Sequence, residues 1–142
     1  MTSVSSVRDF KLYVLCERTK KIELTLKIIF FIWLLGITVT SLVDYSSMSG
    51  FGVPKNLGTG FWLHLMGYFI AGALYFLSFG NKRQRIVLIT FISLFMLGVL
   101  FEIVQIYVPH RSFNPKDIAA NGLGLAGVYV CNKLINRRQI KA

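Results

Sequence analysis

Apolar residues run through this chain in four long blocks, approximately Leu24 to Val43, Gly60 to Phe79, Ile86 to Val108 and Asp117 to Ile135. Each is close to the ~20 residues at which a helix crosses the hydrocarbon of a bilayer. The fourth is the least hydrophobic. The pattern predicts an all-α membrane protein, a bundle of four transmembrane helices. It divides the chain into a basic arm (1–23), a four-span domain (24–135) and a basic tail (136–142).

Finer spacing predicts how the helices pack. His64, Tyr68, Ala71 and Tyr75 recur at helical intervals and share one face of span two, flanked by Gly67 and Gly72. Gly98, Glu102 and Gln105 share a face of span three, which Pro109 ends. Asn114 is placed as an N-cap with Pro115 in the first turn of span four. Ala120, Gly124 and Gly127 then form a seam of small residues suited to close helix approach. Phe61 and Trp62 open span two as an interfacial aromatic pair. The segment Asp44 to Thr59, rich in Ser and Gly, reads as a flexible connector or as a lid dipping into the headgroups. In the arm, Val7, Phe10 and Val14 fit one face of a surface helix, or else a frayed terminus.

Composition and charge sharpen this picture. Apolar residues make up 54% of the 142, and only 6 residues are acidic. The net charge of +10 would suit nucleic acid, but its placement points elsewhere. Arg8, Lys11, Arg18, Lys20, Lys21 and Lys27 precede or begin span one, Lys82, Arg83 and Arg85 lie between spans two and three, and Lys133, Arg137, Arg138 and Lys141 end the chain. Only Lys55, Arg111 and Lys116 fall on the other side. This asymmetry predicts both termini in the cytoplasm, and no aromatic-basic motif supports a nucleic-acid partner. The expected partner is the lipid bilayer, with homo-oligomerisation left open. The first apolar run is too long for a cleaved signal and follows a polar arm, so it reads as a retained anchor. Cys16 and Cys131 both fall towards the cytoplasmic side, where a disulfide is not expected. No paired spacing suggests a metal and no cofactor is implied.

The chemistry concentrates in one stretch. Glu102, Gln105, Arg111, Asp117 and Asn121 lie within or beside spans three and four, where each charge in hydrocarbon costs about 2.5–3.5 kcal/mol. Spans two and four enter from the outer side and spans one and three leave towards it. Helix geometry therefore brings His64, Glu102, Gln105, Asp117 and Asn121 to a similar depth around an outward-facing pocket, with Arg111 above it. Glu102 and His64 are the candidate catalytic acid-base pair. Arg111, Gln105, Asp117 and Asn121 are the candidate ligand-binding residues, the guanidinium fork and the start of span four being suited to a phosphate or carboxylate. Each also has a plainer reading. Asp117 can complete a capping box with Asn114. Arg111 can neutralise a neighbouring carboxylate. Gln105 and Asn121 can be interhelical hydrogen-bond glue, and His64 an interfacial residue bonded to a carbonyl. Ser112 is the nearest hydroxyl, with no nucleophile motif around it.

The segments Glu102-Ile-Val-Gln105, Pro109-His-Arg111 and Asp117-Ile-Ala-Ala-Asn121-Gly122-Leu-Gly124, with His64 in Leu63-His64-Leu65, resemble the VanZ-like family of small bacterial membrane proteins. The resemblance covers roughly residues 24–135. Three positions depart from the family's pattern: Gly60-Phe61 stands where an Asp-Lys pair is common, and His110 replaces a Gly. The resemblance implies a multi-pass protein of the bacterial cytoplasmic membrane, and the family takes its name from a member associated with teicoplanin resistance. The expected function is a cell-envelope protein that binds an anionic lipid-linked or glycopeptide-type group, contributing to antibiotic resistance or to glycan assembly. The competing readings are a membrane enzyme acting on a lipid-linked substrate, a small transporter subunit and a partner scaffold.

Overall fold

The computed structural model describes residues 4–42, 59–80, 84–109 and 111–141. The Asp44–Thr59 connector and His110 fall wholly or almost wholly outside them. Four helices follow in order: α1 (Val4–Leu42), α2 (Thr59–Phe79), α3 (Gln84–Val104), then a single 3-10 turn (Gln105–Tyr107), and α4 (Pro115–Lys141). No strand occurs among the described residues. All four helices are long and apolar enough to cross a membrane. The protein is thus an all-α, four-span bundle.

Side-chain contacts fix the relative directions. The start of α2 meets the start of α4 through His64 and Asn121. The end of α1 meets the segment after α3, through Gln105 and Ser41. At the other end Phe30 of α1 packs on Phe79 at the end of α2, and Gln84 at the start of α3 bonds Tyr129 of α4. Hence α2 and α4 run together, antiparallel to α1 and α3. One end carries the polar cluster and the other carries Lys27, Arg85 and Lys133.

Between them lies an apolar, aromatic middle. Phe30, Tyr68, Tyr75, Val87, Phe91, Leu94, Leu125 and Val128 form its buried core. Tyr75 stacks edge-on with Phe91 at a centroid distance of 5.9 Å, and Phe76 lies 5.5 Å from Phe91. The closest helix pair is α2–α4. A Cβ on Gly124 would run into the Leu65 carbonyl oxygen and stand 2.9 Å from the Phe69 nitrogen. Ala71 and Ala120 are fully buried in the same seam. The outer faces carry exposed Leu, Ile, Phe and Met side chains, as a lipid-facing surface requires.

Two boundaries differ from the sequence expectation. Span three ends as a regular helix at Val104 and tightens into the 3-10 turn before Val108, which is extended at φ −91°, ψ 125°. The proline at 109 drives this, because its ring disfavours helical geometry in the preceding residue. At the N-terminus α1 is continuous from Val4, with Phe10 and Val14 exposed. At ~1.5 Å per residue this helix is about 58 Å long, well beyond a hydrocarbon core of about 30 Å. Its early turns carry Glu-to-Lys pairs one turn apart, Glu17–Lys21 at 2.8 Å and Glu23–Lys27 at 2.6 Å. Lys27 also sits 5.5 Å over the Phe79 ring, which marks the level at which the bundle ends.

Candidate functional site

The site is built where α2 and α4 begin and α3 ends. The start of α4 is set by Asn114. Its Oδ1 accepts the Lys116 N–H at 3.2 Å, the side-chain cap that Pro115 in the first turn leads one to expect. The capping box with Asp117 is not closed in the usual way. In that motif the third helical residue takes the backbone N–H of the cap. Here Glu102 Oε2, reaching across from α3, takes it at 3.3 Å. Asp117 Oδ2 accepts instead from the Asn114 side-chain Nδ2 at 2.9 Å. One asparagine therefore ties both carboxylates to the positive end of α4, where the helix dipole favours negative charge.

His64 completes the group from α2. Its Nδ1 lies 3.0 Å from Asn121 Oδ1, and its Nε2 lies 3.6 Å from Glu102 Oε1. Because the Asn121 oxygen can only accept, Nδ1 carries the proton in this contact. Tyr68 stands one helical turn further along α2. A Cβ on Gly98 would come within 2.6 Å of both the Tyr68 hydroxyl and Asn121 Nδ2. Only glycine at 98 lets α3 approach this closely.

Burial here is unusual. Glu102 and Asn121 are fully buried and are the two largest side chains in that state. Asp117 is 8% exposed and Gln105 2%. Glu102 Oε1, Asp117 Oδ1 and Asn121 Nδ2 are buried with no hydrogen-bond partner among the described residues. Native interiors tolerate few such atoms, and each calls for an explanation.

Of the residues singled out in the sequence, His64, Glu102, Asp117 and Asn121 thus come together directly. Gln105 does not join them. Its Nε2 donates to the Ser41 carbonyl at 2.9 Å, so it fastens the end of α1 to the end of α3. Arg111 donates from Nη2 to the Thr40 carbonyl at 3.0 Å, holding the guanidinium against the same end of α1. It shares a cleft of about 60 Å³ with Ser41, Gly60, His64 and Tyr68. Glu102 and Asp117 lie behind this cleft rather than lining it. Ser112 is exposed on the surface. Asn114 is the residue whose reach was not foreseen. Its capping position was legible, but the arrival of Glu102 at its N–H depends on how α3 ends.

The cleft adjoins a groove of about 460 Å³ between α1 and α2, lined by Trp33, Gly36, Leu63, Met66 and Ile70. Ile37, Thr40, Leu63 and Gly67 belong to both. Trp33 is held in the groove wall by its indole N–H, which donates to the Gly67 carbonyl at 3.0 Å. Compared with protein families, curated proteins and solved structures, the chain matches none.

Proposed function

We propose that this is a VanZ-like protein of the bacterial cytoplasmic membrane that binds an amphiphile with an anionic, lipid-linked or glycopeptide-type head. The cleft would face the outer leaflet, as the distribution of basic residues suggests. The observation that carries this reading is that the Arg111 cleft and the apolar α1–α2 groove adjoin, with Ile37, Thr40, Leu63 and Gly67 in the walls of both. A small polar recess beside a longer apolar channel matches a charged head on a lipid tail. Arg111 suits the head, since its fork of donors is complementary to phosphate or carboxylate and its Thr40 bond fixes its direction. In a cell such binding would withhold a lipid-linked intermediate from a lipid-tailed antibiotic, or assist glycan assembly.

The test is binding of a polyprenyl phosphate to the protein in nanodiscs, with the uncharged polyprenyl alcohol as control. A charge-assisted contact contributes about 1.5–3 kcal/mol, so Arg111→Ala weakens the phosphate by roughly tenfold or more and leaves the alcohol unchanged. Arg111→Lys restores little, because the fork is lost. In the native host, teicoplanin susceptibility rises in Arg111→Ala at normal membrane abundance. Equal affinity of wild type and Arg111→Ala for the phosphate would discard the proposal.

A second reading, a membrane enzyme, is favoured by the approach of His64 Nε2 to Glu102 Oε1. It requires that Glu102→Gln abolish function while leaving the protein folded.

A further inference from the structure

We propose that His64, Glu102 and Asp117 form a binding site for one divalent first-row transition-metal ion. One donor atom from each of these side chains lies within 4.8 Å of the other two. The inference goes beyond the amphiphile reading and does not depend on it.

All three side chains have one polar atom pinned by a neighbour and another turned to the cluster. His64 Nδ1 is engaged by Asn121 Oδ1. Glu102 Oε2 is held by the Asn114 N–H and Asp117 Oδ2 by the Asn114 amide. The other carboxylate oxygens, Glu102 Oε1 and Asp117 Oδ1, are buried without a hydrogen-bond partner among the described residues. Metal ligands are oriented by outer hydrogen bonds of this kind, which fix the histidine tautomer and leave the opposite nitrogen to bind.

The histidine makes the case sharper. With Nδ1 directed at Asn121 Oδ1, His64 turns Nε2 to Glu102 Oε1 at 3.6 Å, beyond hydrogen-bond range. A cation between the two atoms would engage both. Two ligands about 2.0–2.2 Å from a zinc-sized ion and at a tetrahedral angle stand about 3.3–3.5 Å apart. The observed His64–Glu102 separation is close to that value, and the Asp117 donor lies within 4.8 Å of both.

Donor chemistry narrows the ion. Imidazole with two carboxylates suits zinc, manganese or ferrous iron, whereas magnesium and calcium prefer oxygen alone. Three protein ligands leave a coordination position for water or for an anionic group.

The test is metal titration of the full-length protein, purified in detergent without histidine tag, in a Cys16→Ser/Cys131→Ser background. Both thiols are exposed and would bind zinc themselves. Zinc, manganese and cobalt are titrated by calorimetry, with metal content by mass spectrometry and cobalt absorption as a reporter of low coordination number. The expected result is one ion per chain. His64→Gln, Glu102→Gln and Asp117→Asn should each weaken it at least tenfold, whereas Arg111→Ala, which removes a neighbouring positive charge, should not weaken it. Helical content by circular dichroism accompanies each variant. Should Glu102→Gln fail to fold, Asp117→Asn, nearer the edge of the cluster, carries the comparison. If all three fail, the rise in melting temperature of the parent protein with metal decides. No stoichiometric binding by the parent, or binding that folded ligand variants retain, overturns the site. Loss of lipid binding in Arg111→Ala with metal retained separates this inference from the proposed function.

Discussion

At the scale of single residues, the arrangement turns on Asn114. As an N-cap it contributes what Asn, Asp or Ser would contribute about equally in an isolated helix. In this protein the three are not equivalent, because the Asn114 side chain also donates to Asp117 Oδ2. Asn114→Ser keeps an acceptor for the Lys116 N–H. Asn114→Asp keeps it too, but loses the donor and sets a carboxylate beside Asp117 and Glu102. The expected order of melting temperature is Asn, then Ser, then Asp, with Asn114→Asp lower in stability by about 1–3 kcal/mol, the cost of a buried unsatisfied group. Thermal unfolding in detergent measures it, and equal melting of the Ser and Asp variants would reduce Asn114 to a helix cap. The same reasoning shows how far this site was legible in the sequence. The convergence of His64, Glu102, Asp117 and Asn121 followed from helix rise and chain direction alone. That Gln105 reaches the Ser41 carbonyl did not, because the chain tightens into a 3-10 turn at Gln105 where the spacing predicts continued α-helix.

At the scale of elements, the glycines divide into those that set helix distance and those that do not. Gly124 lies against the backbone of α2, where a Cβ would meet the Leu65 carbonyl and the Phe69 nitrogen. Backbone cannot swing aside, so Gly124→Ala must part α2 from α4. Overpacking of this kind costs about 1–3 kcal/mol. Gly127, one turn further on, faces only the Phe69 ring at 3.6 Å, an ordinary contact. There Ala gains up to ~1 kcal/mol of helix propensity over Gly. Gly124→Ala should therefore unfold at lower temperature and Gly127→Ala at the same or higher temperature. Equal behaviour would mean that α2 and α4 are not packed as described. In the sequence both glycines belonged to one small-residue seam. Spacing shows that a seam exists, but which member touches backbone depends on the rotation of one helix against its neighbour. Helix number and type were legible for a simpler reason, since four apolar runs of spanning length have few other solutions.

At the scale of the whole molecule, the bundle is polar inside at one end and apolar on the outer faces of its spans. Glu102 and Asn121 are fully buried, while Phe31, Ile32, Leu35, Leu88 and Ile92 are exposed. This inversion makes sense only in lipid, and lipid requires an orientation. The polar cluster sits at one end and Lys27, Arg85 and Lys133 at the other, and basic residues remain preferentially in the cytoplasm. The cluster should then open on the outer side. Cys16 on the α1 extension and Tyr107 beside the polar end are both exposed, Tyr107 at 83%, so thiol labelling can decide. In intact cells a membrane-impermeant maleimide should leave Cys16 unlabelled until the membrane is permeabilised. Tyr107→Cys, in a Cys16→Ser/Cys131→Ser background, should label without permeabilisation. The reverse pattern would place the cleft in the cytoplasm. An outer-leaflet amphiphile would then be the wrong class of ligand, while the cation site, which depends only on His64, Glu102 and Asp117, would stand.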